Sequence, residues 1–157
     1  MTKKFLFDHI DIPKENIHRV PGELDPTEAS DVYAKEICEN LNNDKVPVFD
    51  LMILGMGDDG HTASIFPHQI DLWNSKNFCV VATHPVSGQH RVSLTGKVIN
   101  AASSIAFLVT GANKAEKVRE ILSKDKIASS YPASLVNPDN LVWFLDGAAA
   151  AEIDRNA

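Results

Sequence analysis

Leu51-Met52-Ile53-Leu54-Gly55-Met56-Gly57-Asp58-Asp59-Gly60-His61-Thr62-Ala63-Ser64-Ile65-Phe66-Pro67 is the stretch on which the reading of this chain turns. It begins inside a compact apolar run, Phe49 to Leu54, with the length and composition of a central strand covered on both faces. Glycines at 55, 57 and 60 follow at once, interleaved with a polar cluster of Asp58, Asp59, His61, Thr62 and Ser64. In open α/β sheets, ligands bind beyond the carboxyl ends of the strands, and the cluster falls there. Glycine lets the backbone take positive φ and approach a ligand closely, a role expected here of Gly55, Gly57 and Gly60, the last two as substrate-binding positions. A helix beginning near His61 is expected to aim its free N–H groups and positive dipole end at the same place.

Within the cluster His61 is the natural proton acceptor, because imidazole is the side chain that exchanges protons near neutrality. A neighbouring carboxylate, Asp59 or Asp58, can hold one ring nitrogen and leave the other for water or substrate. The Gly-x-Gly-x-x-Gly spacing alone is a weak signal, shared with dinucleotide-binding turns and with plain strand-to-helix turns. An acidic pair lying inside it would repel a pyrophosphate, and no acidic residue closes a second strand at the distance a dinucleotide site needs. A nucleophile elbow of the Gly-x-Ser-x-Gly type is absent, so Thr62 and Ser64 read as helix-start hydroxyls.

Outward from this stretch, strand-like and helix-like segments alternate, the pattern of an α/β domain with a mostly parallel sheet. Asn16 to Val20 reads as a short extended piece closed by Pro21-Gly22. Asp25 is an N-cap, with Pro26 at the first helical position and Glu28 in capping-box register; Ala29, Val32, Tyr33, Ile37 and Leu41 then recur at helical spacing, and Asn42-Asn43 ends the helix. Phe78 to Thr83 and Arg91 to Thr95 are strands separated by a turn over Pro85 to Gly88. Ile105 to Thr110 is a buried strand closed by Gly111, Lys114 to Leu122 a helix, and Leu141 to Leu145 a last strand, with Asp146 capping a short Ala-rich helix. Residues 1–157 carry no repeat or linker and are expected to form one domain.

The bulk numbers exclude several classes. A length of 157 residues with 44% hydrophobic and 23% charged side chains is ordinary globular usage. No apolar run is long enough for a membrane helix, and Asp8 and His9 interrupt the N-terminal apolar run, which fails as a secretory signal. A formal charge of −6 without a basic stripe argues against nucleic acid as a partner. Cys38 and Cys79 lack metal-site spacing and read as buried free thiols, which makes a cytoplasmic location the expectation.

The central stretch resembles the signature of the 6-phosphogluconolactonases, which are grouped with the glucosamine-6-phosphate deaminases. Asn16 to Glu23, Arg91 to Thr95, Val109 to Ala115 and Pro132-Ala133-Ser134 fall in the same family's order, so the likeness runs from about Phe5 to about Ala150. After the histidine the deaminases typically continue Asn-Glu-Pro, whereas this chain has Ser64-Ile65-Phe66-Pro67, as the lactonases do. The resemblance implies a three-layer α/β/α fold of the NagB/RpiA-like type. It also implies hydrolysis of 6-phospho-D-glucono-1,5-lactone in the oxidative pentose phosphate pathway, with neither metal nor organic cofactor. His61 would activate water, Asp59 would orient His61, Lys114 would contact the phosphate, and Arg91 would stand nearby. Plainer roles remain open at this point: Lys114 as a solvated first-turn lysine and Arg91 as a side chain snorkelling from a strand edge.

Two family segments, a Gly-Gly-Ser-Thr-Pro-like loop and an Asp-Glu-Arg strand end, occur nowhere in the sequence. The chain is therefore expected to be truncated at the N-terminus, with an exposed sheet edge that favours homo-oligomers and little lactonase activity on its own. Competing readings are a deaminase-like enzyme acting on an amino-sugar phosphate, and a sugar-phosphate-binding module without catalysis.

Overall fold

The computed structural model describes residues 2–41, 45–137 and 139–153. Helix α1 (Thr2–Phe5) and a 3₁₀ turn at Phe7–His9 open the chain. Asn16 to Val20 forms no strand: a 3₁₀ turn at Lys14–Asn16 is followed by irregular backbone. Helix α2 (Pro26–Asn40) starts as expected, with the Asp25 carboxylate accepting from the Thr27 and Glu28 amides at 2.9 and 3.4 Å. The expected stop at Asn42-Asn43 lies outside the described residues.

Strands β1 (Met52–Leu54), β4 (Ile105–Val109) and β5 (Leu141–Leu145) form a parallel sheet in the order β1-β4-β5. Met52 pairs with Ile105, and Ile105 in turn with Leu141. Strands β2 (Cys79–Thr83) and β3 (His90–Leu94) make a separate antiparallel hairpin around the Pro85–Gly88 turn, packed against α2. Helix α3 (Gly96–Ile99) follows β3 in the chain, and α4 (Ala115–Leu122) lies between β4 and β5. The α/β class with a parallel sheet is as the sequence leads one to expect.

The core lies on one face of the sheet. Met52, Leu54, Ile105, Phe107 and Val109 point into it, joined by Ile65, Trp73, Ile99 and Val118. Phe107 and Trp143 stack with ring centres 4.1 Å apart, and Trp73 is buried in the same core. The alternate residues point the other way, as the two-residue period of a strand dictates. Ile53, Leu108, Val142 and Phe144 are 50–62% exposed. The sequence predicts a β1 covered on both faces; among the described residues only one face is covered. The apolar character of the run is correct for a parallel strand, which normally needs cover on both sides.

Two smaller expectations also fall. The segment after Asp146 is a series of turns rather than a helix, although Asp146 does cap it by accepting from the Ala149 amide at 2.7 Å. Cys79 is buried, and that burial pushes its thiol up to about 12, whereas Cys38 is only half-buried.

Candidate active site

No helix begins at His61. Thr62 instead bridges to both Met56 and Ile65, Ala63 takes a positive φ of 50°, and the next helical turns, of 3₁₀ type, start only at Pro67. Thr62 and Ser64 are instead held by bonds to residues distant in the chain. The buried Thr62 hydroxyl donates to the Gly55 carbonyl at 2.9 Å, and the Ser64 amide donates to the Ser93 hydroxyl of β3 at 3.0 Å. The expected helix-dipole contribution at His61 is thereby replaced by a pinned loop.

That loop closes tightly on itself. The Gly57 amide donates to the His61 carbonyl at 2.9 Å, and the Gly60 amide to the Gly57 carbonyl at 3.2 Å. The Asp59 carboxylate accepts from the His61 amide at 3.0 Å, and the same oxygen lies 2.7 Å from His61 Nδ1. Asp59, not the exposed Asp58, is therefore the partner of the imidazole. A carboxylate can only accept, so the proton of neutral His61 sits on Nδ1 and Nε2 is left with a free lone pair. The His61 side chain retains 25% exposure and borders a cleft of about 300 Å³ lined also by Ile53, Leu54, Gly55, Gly57 and Ala63.

The glycines have packing reasons. A Cβ at Gly57 would lie 2.1 Å from His61 Nδ1. At Gly60, with φ of +81°, it would lie 2.7 Å from the Tyr131 ring. Tyr131 is itself held by a buried hydrogen bond from its hydroxyl to Glu120 at 2.8 Å, and the Ala133 amide donates to the Gly60 carbonyl at 3.0 Å. Burial raises the Tyr131 phenol above its usual range, and the hydroxyl's hydrogen bond draws the Glu120 carboxyl below its own.

Phe66, 1% exposed, is the hub on the other side of the imidazole. Its ring centre lies 4.5 Å from that of His61, and the Arg91 guanidinium sits 5.9 Å from the same ring. The half-buried Arg91 and His61 thus share one phenyl ring as neighbour, and Arg91 makes only a weak contact to Gln89 at 3.4 Å. Lys114 does not line the cleft. It lies in the 3₁₀ turn Ala112–Lys114 that follows β4, and the Leu54–Phe107 pairing makes the loops after β1 and β4 leave the same end of the sheet. Asp146 steadies that loop by accepting from the Gly111 amide at 3.1 Å. Lys117 is committed to Glu116 and Glu120, but Lys114 enters no ion pair among the described residues.

Phe66, Ser93, Tyr131 and Glu120 escaped the sequence reading as parts of the site. Phe66 and Ser93 lay inside segments already singled out and Glu120 inside the predicted Lys114–Leu122 helix, while Tyr131 directly precedes Pro132-Ala133-Ser134, but no local pattern marked these side chains as parts of the site.

With this geometry in view, residues 1–143 match the family model described as glucosamine-6-phosphate isomerases/6-phosphogluconolactonase. The chain belongs to this family. It is 46% identical over 150 residues to the 6-phosphogluconolactonase of Haemophilus influenzae, covering 94% of this chain and 63% of that protein. The solved devB protein superposes with a TM-score of 0.88 at 43% identity, over 97% of this chain and 65% of that one. A monomeric glucosamine-6-phosphate deaminase shares the fold, with a TM-score of 0.74 at 21% identity over 96% of this chain and 65% of its own. The chain thus spans somewhat under two thirds of the length of the relatives it matches. Among the described residues no helix is long and apolar enough to cross a membrane.

Proposed function

We propose that this chain carries the acid–base half of a 6-phosphogluconolactonase site, acting on 6-phospho-D-glucono-1,5-lactone without a metal or organic cofactor. The observation that carries the reading is the 2.7 Å Asp59–His61 pair, whose free Nε2 belongs to a ring bordering a cleft beyond the end of β1. His61 Nε2 takes a proton from water as its oxygen attacks the lactone carbonyl carbon. Asp59 holds the Nδ1 proton and stabilises the imidazolium that forms. The tetrahedral intermediate then expels the ring oxygen, which receives the proton from Nε2, giving 6-phosphogluconate. A lactone is an activated acyl group, so this route needs no covalent nucleophile.

Lys114 and Arg91 are assigned to the phosphate, and Gly57 and Gly60 to holding the loop that faces the substrate. Residues 1–157 act as one unit in the cytoplasm, on a small phosphorylated lactone rather than on nucleic acid, with the bare sheet face as a surface for self-association. A deaminase-like activity is disfavoured because Phe66, in the lactonase-type Ser64-Ile65-Phe66-Pro67, packs directly on His61.

The test is the initial rate of lactone opening above the spontaneous rate, together with His61 imidazole NMR signals during titration with 6-phosphogluconate. A small catalysed rate above the spontaneous one, abolished by His61→Ala, and His61 signals moved by the product, are expected. A His61→Ala variant with the wild-type catalysed rate, or ammonia release from glucosamine 6-phosphate, sinks the assignment.

A further inference from the structure

The core-facing side of the β2–β3 hairpin ends in a second imidazole beside the site. Ala82 pairs with Arg91 and Val80 with Ser93, and the His84 amide donates to the Gln89 carbonyl at 2.9 Å. Cross-strand partners share a face and the period is two, so Val80, Ala82, His84, Gln89, Arg91 and Ser93 lie on one side. Val80, Ala82 and Ser93 are buried, which places His84 and Arg91 at the rim of the packed face rather than on the solvent side. Both rest on Phe66: the His84 ring meets it edge-on at 5.3 Å and 78°, and Arg91 sits at 5.9 Å. The same phenyl ring carries His61 at 4.5 Å.

The polar atoms of His84 are already divided. Its Nδ1 accepts from the amides of Val86 and Ser87 at 3.3 and 3.2 Å, which fixes the neutral tautomer with the proton on Nε2. Among the described residues no protein acceptor takes that Nε2–H. A half-buried N–H donor that shares the Phe66 ring with a guanidinium and with His61 is a complementary setting for an anion.

We propose that His84 is a substrate-binding residue whose Nε2–H donates, alongside Arg91, to the phosphoryl group of the sugar phosphate. The inference rests on the lactonase reading and deepens it by naming a residue that selects the phosphorylated substrate. His84→Asn separates the two jobs of the ring: the Asn Oδ1 stands in for Nδ1 and keeps the turn, while the Nε2 donor is lost. His84→Gln places an amide N–H near the position of Nε2 and should restore part of the binding.

The experiment measures dissociation constants of the 157-residue chain for 6-phosphogluconate and for gluconate, and the ¹⁵N shift of His84 Nε2 with each. A hydrogen bond to a charged group predicts about tenfold weaker binding of 6-phosphogluconate to His84→Asn, with gluconate affinity unchanged and His84→Gln in between. The Nε2 signal should move with 6-phosphogluconate and stay fixed with gluconate. Equal weakening toward both ligands, or an Nε2 signal unmoved by 6-phosphogluconate, overturns the proposal even if the Asn variant proves unstable. Failure of the wild-type chain to bind 6-phosphogluconate removes the lactonase reading itself, whereas wild-type binding matched by His84→Asn removes only the role of His84.

Discussion

Gly57→Ala tests the geometry of the site at its tightest point. Gly57 is not among the glycines with positive φ, so alanine is free to adopt the backbone conformation there. The added methyl, however, would lie 2.1 Å from His61 Nδ1, 2.3 Å from Cε1 and 2.7 Å from the Asp59 carboxylate. Ordinary contact distances are well above 3 Å, so the imidazole must move by more than about 1 Å or rotate out of its bond to Asp59. A misplacement of about 1 Å is enough for a loss on the order of 100-fold in turnover, or about 2.7 kcal/mol in the barrier. Global stability should change little, since the ring is part-exposed and the gain from a stiffer unfolded chain is about 0.4–1 kcal/mol. The assay is catalysed lactone opening, with thermal unfolding and the His61 NMR signals alongside. His61→Ala removes the ring that the methyl strikes, so adding Gly57→Ala to that background should cost less than about twofold. Gly57→Ala with wild-type turnover and unshifted His61 signals would show that the ring does not work from the position described.

Asp59→Asn should lower turnover by about 100-fold or more with substrate affinity nearly unchanged, read from a steady-state kcat and KM split, because an amide can hold His61 in the wrong tautomer. Tyr131→Phe should destabilise the fold by about 1–3 kcal/mol in urea unfolding, since it strips the buried Glu120 carboxylate of a donor. The Glu120 and Asp146 carboxyls are both held below their usual range, the first chiefly by the Tyr131 hydroxyl and the second by the Ala149 and Gly111 amides. Their folded values are depressed, so the stability they contribute is present above the ordinary carboxylate range of about pH 4 and drains as the pH falls through the lower folded values. The unfolding midpoint should therefore drop on acidification below about pH 4, and Tyr131→Phe should flatten part of that drop. Phe144→Lys should shift sedimentation toward the monomer if the bare sheet face mediates self-association, with the core signals unchanged.

The parts of the molecule legible in sequence are those governed by local chemistry. The Asp25-Pro26 cap, the β2–β3 turn and the β4–Gly111–α4 connection each follow from residues within a few positions of one another. That a carboxylate beside His61 would hold its ring was legible for the same reason, but the choice of Asp59 over Asp58 came only with the 2.7 Å contact in the structure. The helix expected at His61 failed because Thr62 and Ser64 find partners at Gly55 and at Ser93, the latter 29 positions away, and no local pattern reports such a bond. The roles of Phe66 and Tyr131 were illegible on the same ground. A buried aromatic between two polar segments looks the same in sequence whether it fills a core or seats a catalytic ring.

The exposed sheet face and the cleft are not independent features, because Ile53 belongs to both. It projects from the uncovered side of β1 at 62% exposure, and it lines the cleft that His61 borders. Whatever lies against Ile53, Leu108, Val142 and Phe144 therefore also forms a wall of the space in which water and lactone would meet. A general base gains most when its surroundings exclude bulk water and fix the substrate within a fraction of an ångström. The Asp59–His61 pair needs no such cover to form, since its bonds are local and its ring is braced by Phe66 and by the backbone at Gly57. The Asp59–His61 pair is thus assembled by the loop after β1, while in the proposed reaction substrate confinement would depend on an apolar surface that the described residues leave open. Loss of the loop should abolish turnover outright, and a change at the bare face should act first on substrate affinity.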